Sequence, residues 1–173
     1  MKKLFALMMS AVLCLSLLAA CSPKAPGEGG NDEQTPIDLG AFAQTLMENH
    51  EFAGFVEKVD PTDEEFGATM LENSYPGLKD LDLEQSEIYL CMVSFSTGEF
   101  ALVQAKNADD ATKVQEIFQA RIDNMTAEGM NYPETIELWS KSAQVVTNGN
   151  YVMLICHEDC EAIVSEFNAL FQG

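Results

Sequence analysis

Hydrophobic and polar positions change period several times between residues 38 and 171. Leu39, Phe42, Ala43, Leu46 and Met47 recur at helical spacing behind Asp38, a residue type suited to an N-cap, so a helix is predicted there. His50 continues the apolar face of that helix and reads as a packed end residue. Residues 51–85 carry a weaker pattern, in which Asp60-Pro61 and Tyr75-Pro76-Gly77 mark turns with room for a short helix between them. From Glu87 onward the reading sharpens. Residues 88–95 and 99–106 are β-rich runs joined at Thr97-Gly98, and a helix follows over about 108–128, stopped by Gly129. The same plan then recurs: runs at 143–147 and 150–156 meet at Asn148-Gly149, a strong hairpin signal, and a helix occupies about 158–171.

The two ββα stretches superpose. Gly98 falls on Gly149, Phe100 on Tyr151 and Val103 on Leu154, while in the helices Ala111 falls on Cys160, Val114 on Ile163, Phe118 on Phe167 and Ile122 on Phe171. The second strand of each unit is apolar on both sides, so both faces of the sheet need cover. The expected fold is α+β: a four-stranded, mostly antiparallel sheet from two ββα units. Both repeat helices are expected on one face, with the N-terminal helical segment on the other.

The first twenty residues form a separate unit. Lys2-Lys3, an apolar run over 4–18 and the sequence Leu18-Ala19-Ala20-Cys21 match a bacterial lipoprotein signal with its lipobox. The apolar run is shorter than the roughly twenty residues of a membrane span. Acylation of Cys21 is expected because a diacylglycerol thioether provides the two chains that stable anchoring requires. Residues 22–36 hold three prolines, three glycines and no large apolar side chain, so they read as a tether of roughly 20 Å r.m.s. span. The domain plan is therefore a signal peptide over 1–20, lipidated Cys21 and tether over 21–36, and a single globular domain over 37–173.

Charge narrows the partners. The chain has 9 Lys+Arg against 28 Asp+Glu, a net charge of -19, and loss of Lys2 and Lys3 with the leader makes it more negative still. Such a polyanion repels nucleic-acid phosphates, so no nucleic-acid partner is expected. Membrane contact is expected through the lipid alone.

Glu99-Phe100-Ala101, the helix carrying Arg121, Tyr132-Pro133-Glu134 and Asn148-Gly149-Asn150-Tyr151, standing behind a lipobox, resemble the bacterial lipoproteins of domain of unknown function 4358. The resemblance covers about residues 38–171 and implies an extracytoplasmic location; it implies no activity or catalytic residue. The direct Tyr132-Pro133 step and the cysteines depart from the family's pattern.

Few residues offer chemistry. Arg121 lies inside the apolar stripe of Val114, Ile117, Phe118, Ile122 and Met125, so its guanidinium must be paired or reach water. Glu99 and Glu134 are the candidate partners for a structural ion pair, with contact to an acidic ligand as the alternative. Tyr132, Trp139 and Tyr151 read as core or rim packing, with a shared ligand pocket as the alternative that makes them candidate pocket aromatics. The run Cys156-His157-Glu158-Asp159-Cys160 holds zinc ligand types, but the neighbours Cys156 and His157 point to opposite sides of a strand and no second ligand pair follows. Cys91, Cys156 and Cys160 read as buried inert thiols, with a disulfide among them as the alternative. No metal or cofactor is expected. Asp80, Asp82 and Glu84 share one face of an extended segment, but Gln85 and Cys91 stand where a calcium loop needs Gly and Glu.

These features lack a catalytic set. They lead to the expectation of a non-enzymatic, lipid-anchored extracytoplasmic domain that binds a protein partner or small ligand. An accessory or structural subunit of an envelope complex is the alternative, and thiol or metal chemistry ranks behind both.

Overall fold

A computed structural model of the chain describes residues 37–52, 56–92, 98–129 and 131–172. The expected leader, Cys21 and the expected tether lie outside the described residues, as does Thr97 at the first expected hairpin turn.

Helix α1 spans Leu39–Asn49, and the Asp38 carboxylate accepts the Ala41 N–H at 3.0 Å as its N-cap. Strand β1 (Val56–Lys58) follows, then α2 (Gly67–Ser74) and a short 3-10 turn over Leu78–Asp80. Gly67 is required where it stands, because a Cβ there would lie 1.7 Å from the Asp60 carbonyl oxygen. Strands β2 (Leu83–Cys91) and β3 (Glu99–Ala105) lead into the long helix α3 (Ala108–Thr126), capped by Asn107 with Asp109 and Asp110 in its first turn. Pro133 opens α4 (Pro133–Ser142), a position that needs no N–H. Strands β4 (Ala143–Asn148) and β5 (Tyr151–Cys156) and helix α5 (Cys160–Ala169) complete the order.

The strands form one sheet in the order β1-β2-β3-β5-β4, with every neighbouring pair antiparallel. The sheet therefore has five strands where four are expected. The fifth, β1, is three residues long and pairs with the end of β2, which is too short a run to carry an alternation. At the second hairpin Gly149 takes φ 56° and Asn150 keeps a negative φ, the sign pattern of a turn with glycine first.

β3 and β5 lie at the centre and are buried on both sides. Ala101, Val103, Val152, Leu154 and Cys156 face a cluster built with Leu71 and Tyr75 of the α2 region, Val114 and Phe118 of α3, and Trp139 of α4. Phe100, Leu102, Met153 and Ile155 face the opposite cluster, with Leu39, Phe42 and Leu46 of α1 and Cys160, Ile163 and Phe167 of α5. The result is three layers, helices on both sides of the sheet.

The repeat helices thus cover opposite faces, contrary to the expectation that they share one. Their buried positions do correspond, Ala111, Val114 and Phe118 to Cys160, Ile163 and Phe167. The connections differ: Lys106 and Asn107 join β3 to α3, whereas His157, Glu158 and Asp159 join β5 to α5. Between the corresponding positions Val103–Ala111 and Leu154–Cys160 the second connection is two residues shorter, and it turns at His157, whose carbonyl accepts the Cys160 N–H. Residues 38–83 divide accordingly, with α1 on one face and α2 on the other. Among the described residues no helix is long and apolar enough to cross a membrane.

Candidate functional site

Strand β3 begins with a carboxylate in the core. Glu99 is buried, and its side chain is only 2% exposed. Helix α3 brings Arg121 against it, where Nε donates to Oε1 at 2.9 Å and Nη2 to Oε2 at 2.8 Å. This is the fork geometry that a guanidinium shares with a carboxylate. The Tyr75 hydroxyl, from the end of α2, donates to Oε1 at 2.8 Å. The Arg121 Cζ stands 5.5 Å from the centre of the Trp139 ring and 6.0 Å from that of Tyr75, so two aromatic faces flank the cation.

Burial opposes the charge on Arg121, but the hydrogen bonds and charge of Glu99 outweigh it and hold the pKa above the ordinary arginine value. Burial first, then the Glu99 charge, pushes the Tyr75 hydroxyl well above its ordinary 10.0. The Cys156 thiol is raised for the same two reasons, and Cys160 is raised by burial and then by Glu161. Such thiols are poor nucleophiles.

A pH dependence follows. Tyr75 and Cys156 keep their protons in the folded chain at pH values where the unfolded chain loses them. Their contribution is fully present below the ordinary thiol value of 9.0 and is lost as pH rises through 9 and 10 toward the folded values. Urea midpoints measured from pH 7 to 11 are expected to fall above pH 9, and less steeply in Cys156→Ala.

Arg121, at 18% side-chain exposure, also forms part of the wall of a cleft of about 440 Å³ between α3 and the loop after α2. Ser74, Pro76, Leu81, Ile117 and Asn124 complete much of that wall. A second cleft of about 410 Å³ shares Leu81 and is lined by Val59, Leu71, Leu78 and Ile88. Both volumes lie in the range of small-ligand sites.

The other expected site residues separate. Glu134 is exposed in the first turn of α4, and the Arg121 pair is made with Glu99 instead. The three candidate aromatics do not share a pocket. Tyr132 is exposed, Trp139 is buried beside Arg121, and Tyr151 packs edge-on against Phe171 on the other side of the sheet. Cys156 and Cys160 carry free thiols in different core clusters.

One group of residues has no signature along the chain. His50 at the end of α1, His157 after β5 and Asp159 before α5 meet on the α1/α5 side of the sheet, with one ligand atom from each lying within 4.8 Å of the others. Glu166 of α5 contacts the second nitrogen of His50. More than a hundred residues separate His50 from these partners.

Fold and site together define a three-layer domain on an antiparallel sheet, with a buried arginine–glutamate–tyrosine group at the root of one cleft. The chain belongs to the family of domain of unknown function DUF4358, whose profile matches residues 58–157. No curated protein and no solved structure matches it. The matched span includes Tyr75, Glu99, Arg121 and Trp139; it ends on His157 and leaves out His50, Asp159 and Glu166.

Proposed function

We propose that the protein is a bacterial lipoprotein, held outside the cytoplasmic membrane by acylated Cys21, whose folded part is a non-enzymatic binding domain for a protein partner or small ligand. The leader, the Leu18-Ala19-Ala20-Cys21 lipobox and the Pro/Gly tether support the anchoring. The observation that carries the binding reading is the cleft beside Arg121. Glu99 holds the guanidinium rigidly, so the cleft offers a pre-oriented cationic edge beside apolar Leu81, Ile117 and Ala120 and charged Lys113 and Glu116, a combination suited to a ligand with an acidic group among polar and apolar ones.

A photo-reactive residue placed at Ile117, in the cleft, tests this in cells, with Glu161 on α5 as the control position. A discrete adduct from 117 and none from 161 is the expected outcome. Adducts of equal yield from both positions favour an accessory subunit packed on several sides, and no adduct from either counts against a protein partner.

A further inference from the structure

We infer that His50, His157 and Asp159 form a binding site for a divalent transition-metal ion of the zinc class, one that ties the end of α1 to the start of α5. The inference is independent of the anchoring and of the cleft.

Its first support is the direction of the two imidazoles. His50 Nδ1 lies 3.1 Å from Asp159 Oδ2, and His157 Nδ1 lies 4.0 Å from the same oxygen. The other nitrogen of each ring meets an acceptor: His50 Nε2 stands 3.1 Å from Glu166 Oε1, and His157 Nε2 stands 3.3 Å from the Glu51 carbonyl. The Asp159 N–H donates to His157 Nδ1, which puts that ring's lone pair on Nδ1, and a metal on His50 Nδ1 leaves its Nε2–H to Glu166. Both Nδ1 atoms and the Asp159 carboxylate oxygen then stand together, the His157 lone pair taking the Asp159 N–H at 2.9 Å in this structure. Histidine metal ligands commonly show this pattern, in which the far N–H is fixed by a carboxylate or a backbone carbonyl.

Asp159 supplies a second, separate observation. It occupies the N-cap position of α5 but makes no side-chain cap bond there; its carboxylate turns to His50 instead. A residue type suited to capping has given up that role for this contact.

The dimensions suit zinc. Ligand atoms of a tetrahedral zinc centre stand roughly 3.3 Å apart when the bonds are about 2.0–2.1 Å. The His50–Asp159 separation already matches, but the three ligand atoms lie within 4.8 Å of one another, so His157 must close by up to ~1.5 Å on that standard, releasing the Asp159 N–H that its Nδ1 now accepts at 2.9 Å. Asp159, 58% exposed, is free to swing, and the histidines, 8% and 9% exposed, are shielded from solvent. Phe52 lies with its ring centre 4.5 Å from that of His157, and the two imidazoles meet edge to face at 5.8 Å. Two nitrogens and one oxygen select a borderline ion over calcium or magnesium, which take oxygen ligands. Three protein ligands leave the fourth position to water or to a group from a partner.

The test uses the full mature chain in detergent, stripped with chelator and titrated calorimetrically with zinc chloride. One zinc per chain is expected, with a rise in melting temperature that grows with free zinc. Asp159→Asn, at an exposed position with no cap to lose, is expected to weaken binding at least ~10-fold, and Glu166→Gln about 10–100-fold with the stoichiometry kept. His50→Gln and His157→Gln are expected to abolish the site, with circular dichroism confirming that each variant is folded. Cobalt, used as a spectroscopic probe, should give tetrahedral absorption bands in the wild type and none in Asp159→Asn. Absence of stoichiometric zinc binding, or zinc binding unchanged in Asp159→Asn and Glu166→Gln, overturns the inference.

Discussion

Replacing Glu99 by Ala is expected to destabilise the domain by about 3–5 kcal/mol, because the substitution leaves the Arg121 guanidinium in the core without its counter-charge. It also strips the Tyr75 hydroxyl of the acceptor it reaches at 2.8 Å. Urea denaturation of residues 22–173 measures the loss as a lower midpoint. Arg121→Lys keeps the charge but loses the fork, so a smaller drop of about 1–3 kcal/mol is expected. The double change Glu99→Leu with Arg121→Met removes both charges and should recover most of the stability, since apolar side chains of similar volume often replace a buried pair without loss. A midpoint unchanged in Glu99→Ala would show that the guanidinium finds water or another partner, and the rigid cationic edge of the cleft would be lost as an idea.

Phe100→Ala is the second large effect, again about 3–5 kcal/mol, from truncating an aromatic side chain in a closed core. Phe100 is fully buried on β3, stacks on Tyr89 with ring centres 4.5 Å apart and packs against Phe52 at 5.1 Å. Phe52 in turn lies against His157, so the cavity should also loosen the two-histidine group. Tyr89→Ala is expected to cost less, because that side chain is only partly buried. Equal midpoints for Phe100→Ala and wild type would contradict the placement of this ring.

Much of the architecture is written in local pattern. Asp38 caps α1, glycines with positive φ mark both strand connections at 98 and 149, and the alternation of 100–105 and 151–156 assigns each side chain to its face of the sheet. What local pattern omits is which side a helix takes. The stripe of Cys160, Ile163 and Phe167 is the same whichever face it covers. α4 is legible in the sequence but absent from the expected elements: Pro133 suits a first helical position, and Thr135, Leu138 and Trp139 form its inner side.

At the site, Arg121 was visible because a charge inside an apolar stripe must be answered, and Glu99 was one of two candidates to answer it. The part played by Tyr75 was not visible, since its hydroxyl reaches Glu99 across 24 residues and Tyr75-Pro76-Gly77 reads as a turn. The same holds for His50. Read along the chain, Cys156-His157-Glu158-Asp159-Cys160 lacks a metal-ligand spacing, and only the packing of α1 beside α5 brings the second imidazole to it. Long-range approach of polar groups leaves no period in a sequence.

The proposed anchoring at Cys21, on which the functional reading rests, is open to one direct measurement. Cells expressing the wild type and Cys21→Ala are fed radiolabelled palmitate, fractionated, and treated as intact protoplasts with added protease. The wild type should carry label, sediment with membranes and be cleaved from outside, whereas Cys21→Ala should carry none. Wild-type chain without label, or wholly protected inside intact protoplasts, would contradict the lipoprotein reading.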